Sequence, residues 1–564
     1  MIRVSNEKHF GLEAYLRDGF ISSDKASESV SRTLEYAYDD WCISQFVKLM
    51  GNQNYYNSYN KRYTYRGQLW KNLFDPNTNF FRAKKNGSFK VPFDPFEVNF
   101  DLTEANTWQY NFYVPQDVSG LMKAMGGTDK FAAKLDELFT AKSKTVGREQ
   151  PDISGMIGQY AHGNEPSHHI AYLYDYAGQP WKTQERVHQI MTTLYSNHPD
   201  GLCGNEDCGQ MSAWYVLSAM GFYPVCPGSG DYAIGTPSFD EVTINLENGK
   251  QFTIKASNLT NKNFYIQSAS INNSSYLKNY IQHKTLMDGG VLQYSMSNIA
   301  NTNWGNQATI NGENNVITTS IDHDLIVPVP YIEPIPRTFT DSLVLKCCDM
   351  DTAADIYVYT YHGNFPVEEI DNTYRKPLVI KNGGKIEVFA AEGTSEKSYS
   401  VFAEYIKLDK NRTIKIISPY SPQYPGDGDN TLIDKIRGGT DFHTGEWQGY
   451  EGVDFEAIVD LGEMKEFTQV GIGCLQDIGS WIWMPKEISF SFSEDGINFK
   501  DNISITTDVS DRLEKTLIKD FKTNRSDIIA RYIKVIAKNY GAIPDWHPGK
   551  GGKIWMFLDE IIVE

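Results

Sequence analysis

The spacing of apolar residues changes period along this chain, and that change rules out a fold of one architecture. After Ser27 and Ser29, the residues Val30, Leu34, Ala37, Tyr38, Trp41, Cys42, Phe46 and Leu49 recur at intervals of three and four, which predicts an amphipathic helix over 30–48. The same spacing predicts helices over about 114–125, 129–141, 166–177, 181–196 and 209–221, several of them closed by Gly or Pro. From about 229 the pattern alternates instead. Phe239-x-Glu-Val-Thr-Ile-Asn-Leu, Gln251-Phe-Thr-Ile-Lys-Ala and Asn263-Phe-Tyr-Ile-Gln-Ser are separated by Gly- and Asn-rich turns, as in antiparallel sheet.

The alternation continues to the C-terminus, interrupted by Val327-Pro-Val-Pro, Pro334 and Pro336, a stiff Pro-rich linker. Residues 1–226 are therefore read as a helical module, 227–328 as its β-rich end, and 329–336 as the linker. Residues 337–408 read as a small β-sandwich, with strands at Ile356-Tyr-Val-Tyr-Thr, Pro377-Leu-Val-Ile and Ile386-Glu-Val-Phe-Ala. A last β-domain spans 409–564, with strands at Phe455–Gly462, Glu487–Ser493 and Arg531–Ala537. The 564 residues suit about three to five domains of roughly 100–200 residues each.

Several function classes are disfavoured. Lys and Arg total 53 against 71 Asp and Glu, a net charge of −18, and no basic run stands out, so nucleic acid is not an expected partner. No apolar run approaches the roughly 20 residues of a membrane span. The seven cysteines are odd in number and irregularly spaced, and Cys203 and Cys208 lack a second pair at zinc-site spacing. Aromatic residues reach 13%, which suits stacking on sugar faces as well as core packing.

Three segments concentrate carboxylates, amides, histidines and Trp: Thr103–Tyr110, Gly158–His169 and Asp200–Gln210. Five of the 11 histidines lie between His162 and His198. Glycoside hydrolysis needs such a set, with two carboxyl groups flanking the scissile bond and amides and imidazoles to hold hydroxyls. A hard cation such as Ca²⁺ takes the oxygens that Gln159, Asn164 and Glu165 offer. Structural alternatives stay open at this stage. Glu104 fits a first-turn helix position, and Asn205-Glu206-Asp207 fits an acidic cluster capping the helix after Gly209. The pair His168-His169 fits core or surface equally.

Six motifs stand in order. They are Ser31-Arg-Thr-Leu-Glu-Tyr-Ala-Tyr-Asp-Asp-Trp-Cys, Lys71-Asn-Leu-Phe-Asp-Pro, Thr103-Glu-Ala-Asn-Thr-Trp-Gln-Tyr, His162-Gly-Asn-Glu-Pro-Ser-His-His, Pro180-Trp-Lys-Thr-Gln and Gly204-Asn-Glu-Asp-Cys-Gly-Gln-Met-Ser-Ala-Trp. Together they resemble glycoside hydrolase family 92, exo-acting, Ca²⁺-dependent, inverting α-mannosidases, over about residues 10–328. The resemblance implies part of an (α/α)6 barrel with a β-layer, Glu104 as general acid and Asp207 as general base. It implies Gln159, Asn164 and Glu165 as metal ligands, and Trp108, His168, His169, Trp181, Lys182, Asn205 and Glu206 as substrate contacts. The expected substrate is mannose-capped N-glycan or mannan.

Residues 337–408 resemble the small C-terminal domain of chitobiases, through Ile356-Tyr-Val-Tyr-Thr, Tyr374-x-x-Pro377 and Ile386-Glu-Val-Phe-Ala. Residues 409–564 resemble a discoidin-like jelly roll similar to carbohydrate-binding module family 32. The matching residues are Leu432-Ile433-Asp434, Trp447-Gln448-Gly449-Tyr450, Val459-Asp460-Leu461-Gly462 and Ser493-Glu494-Asp495-Gly496 with Phe499. The resemblance implies a sugar-binding surface, with Trp481, Trp483, Trp546 and His547 as platform residues. The first residues carry no signal-peptide pattern and enter the helical resemblance part-way along. The chain therefore reads as an N-terminally truncated form of an extracellular, periplasmic or surface protein. The competing expectation is an inactive fragment that only binds glycans.

Overall fold

The computed structural model describes every residue except 52, 307–308, 311–312, 324, 334–335, 351–353, 363–364, 367–372, 394–395 and 525–526. Pro334 of the expected linker thus lies outside the described residues. The chain divides into two compact units. One comprises Met1–Lys8, Val30–Arg82 and Pro92–Pro328, and the other His9–Ser29, Ala83–Val91 and Val329–Glu564.

In the first unit the predicted helix runs Ser29–Leu49. Val30, Leu34, Ala37 and Trp41 are buried, but Phe46 and Leu49 are exposed, and Ile43 and Val47 point inward instead, against Tyr63. A 3.6-residue turn makes a three-and-four stripe drift around a long helix, so the buried face changes over the last two turns. Helices Val118–Ala124, Thr128–Thr140, Pro180–Thr193 and Gln210–Met220 follow the predicted periodicity. The predicted helix over 166–177 is instead a run of short turns, Glu165–Ser167, Ile170–Tyr172 and Leu173–Tyr176. Its two histidines bond to different carbonyls, Nε2–H of His168 to His162 (2.9 Å) and that of His169 to Phe112 (2.9 Å), and this winds the backbone away from a regular helix.

The β-rich end is a five-stranded sheet in the spatial order Glu241–Asn245, Gln251–Ser257, Gly290–Ser297, Tyr265–Ile271, Ser274–Ser275. Strand Gln251–Ser257 pairs parallel with Gly290–Ser297, whereas the sequence suggested antiparallel pairing throughout. Inward residues of alternating strands, among them Phe252, Ile254, Ile266, Leu292 and Tyr294, make its core.

In the second unit, strands Asp355–His362, Gly384–Glu392 and Val401–Lys407 form the centre of one sheet. Tyr331–Glu333, read from sequence as linker, is a strand paired with Leu343–Cys348. The last β-domain packs a five-stranded antiparallel sheet against a four-stranded one. Phe455, Ala457 and Val459 of one face Ile472, Cys474 and Leu558 of the other in a shared core. Two segments placed by sequence in the helical module belong to this unit. Asn86 exchanges two hydrogen bonds with the Glu404 backbone (2.9 and 2.7 Å), Phe89 lies 5.0 Å from the Tyr331 ring, and the Ser27 N–H donates to Asp441 (2.7 Å). A nine-residue hairpin has no core of its own, so its tertiary partners decide where it belongs.

Candidate active site

Glu104 stands two residues before Asn106, whose side chain caps helix Thr107–Tyr110 in a reciprocal bond with Gln109. Its carboxylate is therefore not spent on the helix terminus, and the first-turn alternative falls away. Glu104 has φ +48°, a left-handed conformation that non-glycine residues rarely hold without purpose. Asp207 does the same at φ +49°, followed by Cys208 at +55° and Gly209 at +93°. The acidic run next to Asp207 splits by role. Glu206 accepts the Ser212 N–H (3.1 Å) and caps helix Gln210–Met220, leaving Asp207 outside the cap.

A cavity of about 430 Å³ opens beside Glu104. Its lining includes Asn164, Glu165, His168 and Gln210 together with Glu35, Tyr38, Tyr110, Tyr113 and Tyr223. The Glu104 side chain is reached by solvent, yet partial desolvation and then the charges of Asp152, Glu165 and Asp207 hold its pKa above the usual carboxylate value. The Asn164 amide works against the rise. A carboxyl group whose pKa is raised suits the task of protonating a leaving group.

His168 and His169 line the cavity as neutral imidazoles, both pulled down to about 4 by burial. The Asp207 charge partly offsets the fall at His168, so Asp207 acts electrostatically on both Glu104 and His168. Behind them His162 is deeper still, at about 2, between the Tyr160 and Tyr195 hydroxyls (2.7 and 2.6 Å).

The other expected contacts are elsewhere. Trp108 is buried against Phe80, ring centres 4.7 Å apart, with Lys134 Nζ 4.5 Å from its ring, and does not line the cavity. Trp181 and Lys182 sit on helix Pro180–Thr193, where Lys182 pairs with Asp136 (2.6 Å), and neither lines it. Exposed Asn205 donates to Asp152 (3.2 Å). Gln159 is fully buried, its carbonyl oxygen taken by Asn106 Nδ2 (2.8 Å) and its amide donating to the Lys142 carbonyl. The oxygen trio expected to hold calcium is thus not assembled as one site: Asn164 and Glu165 line the cavity, and Gln159 belongs to the scaffold.

Glu35 and Asp152 were not singled out by sequence reasoning. Glu35 accepts from Tyr110 Oη (2.8 Å) and lines the cavity. Glu35 lies one residue after Leu34 on the apolar-spaced helix, but the motif Ser31–Cys42 also holds Asp39 and Asp40, so nothing in the sequence distinguished it. Asp152 lay in a plain loop and carried no signal. Asp152→Asn should remove one of the charges that raise the Glu104 pKa. Glu104 would then lose its proton at lower pH, and the alkaline limb of the kcat/KM profile should move acidward. An unmoved limb would contradict this electrostatic coupling.

Residues 2–298 match the glycosyl hydrolase family 92 catalytic domain. The chain belongs to glycosyl hydrolase family 92. Within that family it is 40% identical to an alpha-mannosidase of known structure from Bacteroides thetaiotaomicron, with a TM-score of 0.50 over 54% of this chain and 40% of the other. The same enzyme in complex with mannoimidazole aligns at 39% identity and a TM-score of 0.51, again over 54% of this chain and 40% of that one. An uncharacterized secreted glycosidase of Arthroderma benhamiae is 29% identical over 313 residues, 51% of this chain and 38% of that protein. The family 92 chain thus spans well under half the length of these relatives.

The second unit's predicted platform is only partly exposed. Trp483 is buried, its Nε1–H donating to the Asp511 carbonyl (2.9 Å), so its ring cannot meet a ligand. Trp481 and Trp546 remain 43% and 38% exposed, and Arg512 lies 5.2 Å from the Trp546 ring. His547 packs edge-on against Trp483. Gly549 lies flat on the Trp481 indole, where a methyl group would come within 2.8 Å of Cε2.

Proposed function

We propose that this family 92 chain removes terminal α-linked mannose from N-glycans or mannan, acting from the chain end with inversion. The observation that carries the reading is the placement of Glu104 on an open cavity lined by tyrosines, histidines and amides, with its pKa raised by desolvation and neighbouring carboxylates. In the proposed reaction Glu104 protonates the departing glycosidic oxygen. Asp207 takes a proton from the water that attacks the opposite face of the sugar. The tyrosines around the cavity supply apolar faces and hydroxyl groups for the sugar. Such a lining favours a ring flattening towards positive charge, because no cationic imidazole opposes it.

Calcium dependence stays a proposal, supported only by the side-chain oxygens of Asn164 and Glu165 at the cavity; among the described residues no cluster of three or more His, Cys, Asp or Glu is placed to hold a metal. No step above runs through a metal. The exposed faces of Trp481 and Trp546 support a second proposed sugar-binding surface in residues 409–564, in keeping with the discoidin-like reading. Secretion or surface attachment is proposed from the description of the fungal relative as secreted. Among the described residues no helix is long and apolar enough to cross a membrane.

The test is incubation with α-linked mannobiose while the earliest product is followed by NMR. β-Mannose is expected. α-Mannose would overturn inversion, and no release would leave glycan binding as the surviving reading. Chelation in the same assay should stop release, and added Ca²⁺ should restore it and raise the melting temperature. Full activity after chelation would remove calcium from the reading.

A further inference from the structure

The two carboxylates proposed as acid and base sit in separate loops, each at a left-handed backbone position that non-glycine residues rarely adopt. Both loops are tied to one short turn between them. Asn164, at the start of that turn, donates its Nδ2–H to the Glu104 carbonyl oxygen (3.1 Å). On the other side of Glu104, the Thr103 N–H donates to Ser31 Oγ (2.8 Å), so the residue is held from both flanks. His168, at the end of the turn, accepts the Gln210 amide at Nδ1 (3.1 Å). Gln210 also donates to Tyr223 Oη (3.1 Å), and its backbone N–H donates to the Asp207 carbonyl oxygen (3.1 Å).

The turn is itself rigid. The N–H of Ser167 donates to the Asn164 carbonyl (3.3 Å) and that of His168 to Glu165 (3.0 Å). Pro166 fixes one backbone angle, and Ser167 Oγ accepts the Ala161 N–H (3.3 Å). Asn164, Ser167 and His168 are all buried.

We propose that Asn164 and Gln210 are positioning residues, hung from the two ends of the 164–168 turn, that set the separation of Glu104 and Asp207. The inference rests on the acid and base roles proposed above. An inverting glycosidase must leave room for one water between its base and the sugar, so a fixed separation is what the chemistry requires. Asn164 bonds directly to the acid's loop, whereas the Gln210 side chain fixes the residue whose backbone N–H holds the Asp207 carbonyl. The two ends of the turn therefore fail in different ways.

The experiment uses the whole chain with two substrates, α-mannobiose and 2,4-dinitrophenyl α-mannoside. The dinitrophenolate leaves without a proton, so its release does not need a well-placed acid, whereas both substrates need the water activated. Asn164→Ala should lower kcat on mannobiose by about 10²-fold, the order expected for a misplaced catalytic group, with KM little changed. Its loss on the aryl mannoside should be at least tenfold smaller. Gln210→Ala should lower kcat on both substrates by one common factor.

Asn164→Asp keeps the side-chain size and removes the Nδ2–H donor, so it stands in if the alanine variant does not fold. Equal losses on both substrates for the Asn164 variants, or no loss on either, would overturn the positioning role while the wild type still turned over. A wild type inactive on both substrates would overturn the proposed function, and this inference with it.

Discussion

Replacing Glu104 by Gln should cut turnover of mannobiose by about 10²–10⁴-fold, the usual contribution of a positioned proton donor. The substitution keeps shape and removes the ionisable proton of a carboxyl group whose pKa is raised by desolvation and by the charges of Asp152, Glu165 and Asp207. Folding should be untouched. The side chain is exposed, and the local backbone is held by bonds to main-chain atoms, from Asn164 to the Glu104 carbonyl and from the Thr103 N–H to Ser31. The measurement is kcat on mannobiose and on the dinitrophenyl mannoside, with a thermal melt of each protein. A large loss on the first, a small loss on the second and an unchanged melt are expected. A loss of less than tenfold on mannobiose would remove Glu104 from the acid role.

The second large effect is on stability. Trp214 is fully buried on helix Gln210–Met220, its ring centre 4.4 Å from that of His162 and stacked at 6.1 Å on Tyr195. Its Nε1–H donates to the His168 carbonyl oxygen (2.9 Å). Trp214→Ala leaves a cavity the size of an indole and an unsatisfied carbonyl, which should cost about 3–5 kcal/mol. A typical domain has only about 5–15 kcal/mol in total, so the first unit should melt many degrees earlier. The second unit has its own core of Phe455, Ile472, Phe490 and Leu558 and should keep its transition. Calorimetry of the whole chain reads both. A single transition that moves as one, or an early transition that stays in place, would count against this assignment of Trp214.

Glu104 and Asp207 share one property: each stands out through its neighbours along the chain. Glu104 precedes a helix cap by two residues, and Asp207 follows Glu206 just before a helix. The sequence left open which acidic residue of Asn205-Glu206-Asp207 would cap that helix. A hydrogen bond of 3.1 Å to Ser212 decides it for Glu206, and nothing in the spacing distinguishes the two side chains. Large aromatic residues misled for a related reason. A Trp beside a catalytic segment and a Trp inside a core have the same composition and the same spacing. Trp108 and Trp483 both turned out to be packing residues, while Trp481 and Trp546 kept open faces.

The sequence by itself determined the change from helical to β architecture, the family, the extents of most helices and strands, and the two carboxylates on which the chemistry is proposed to turn. Those features rest on local periodicity and on short motifs, where each residue's neighbours in sequence are also its neighbours in space. Only the tertiary structure decided that the segments 9–29 and 83–91 belong with the C-terminal unit, that strands 251–257 and 290–297 run parallel, that Gln159 serves the scaffold, and that Asn164 and Gln210 hang from one turn. These are pairings between residues as much as several hundred positions apart. No local rule encodes such pairings, because which distant groups meet is settled when the whole chain closes its cores and satisfies its buried hydrogen bonds together.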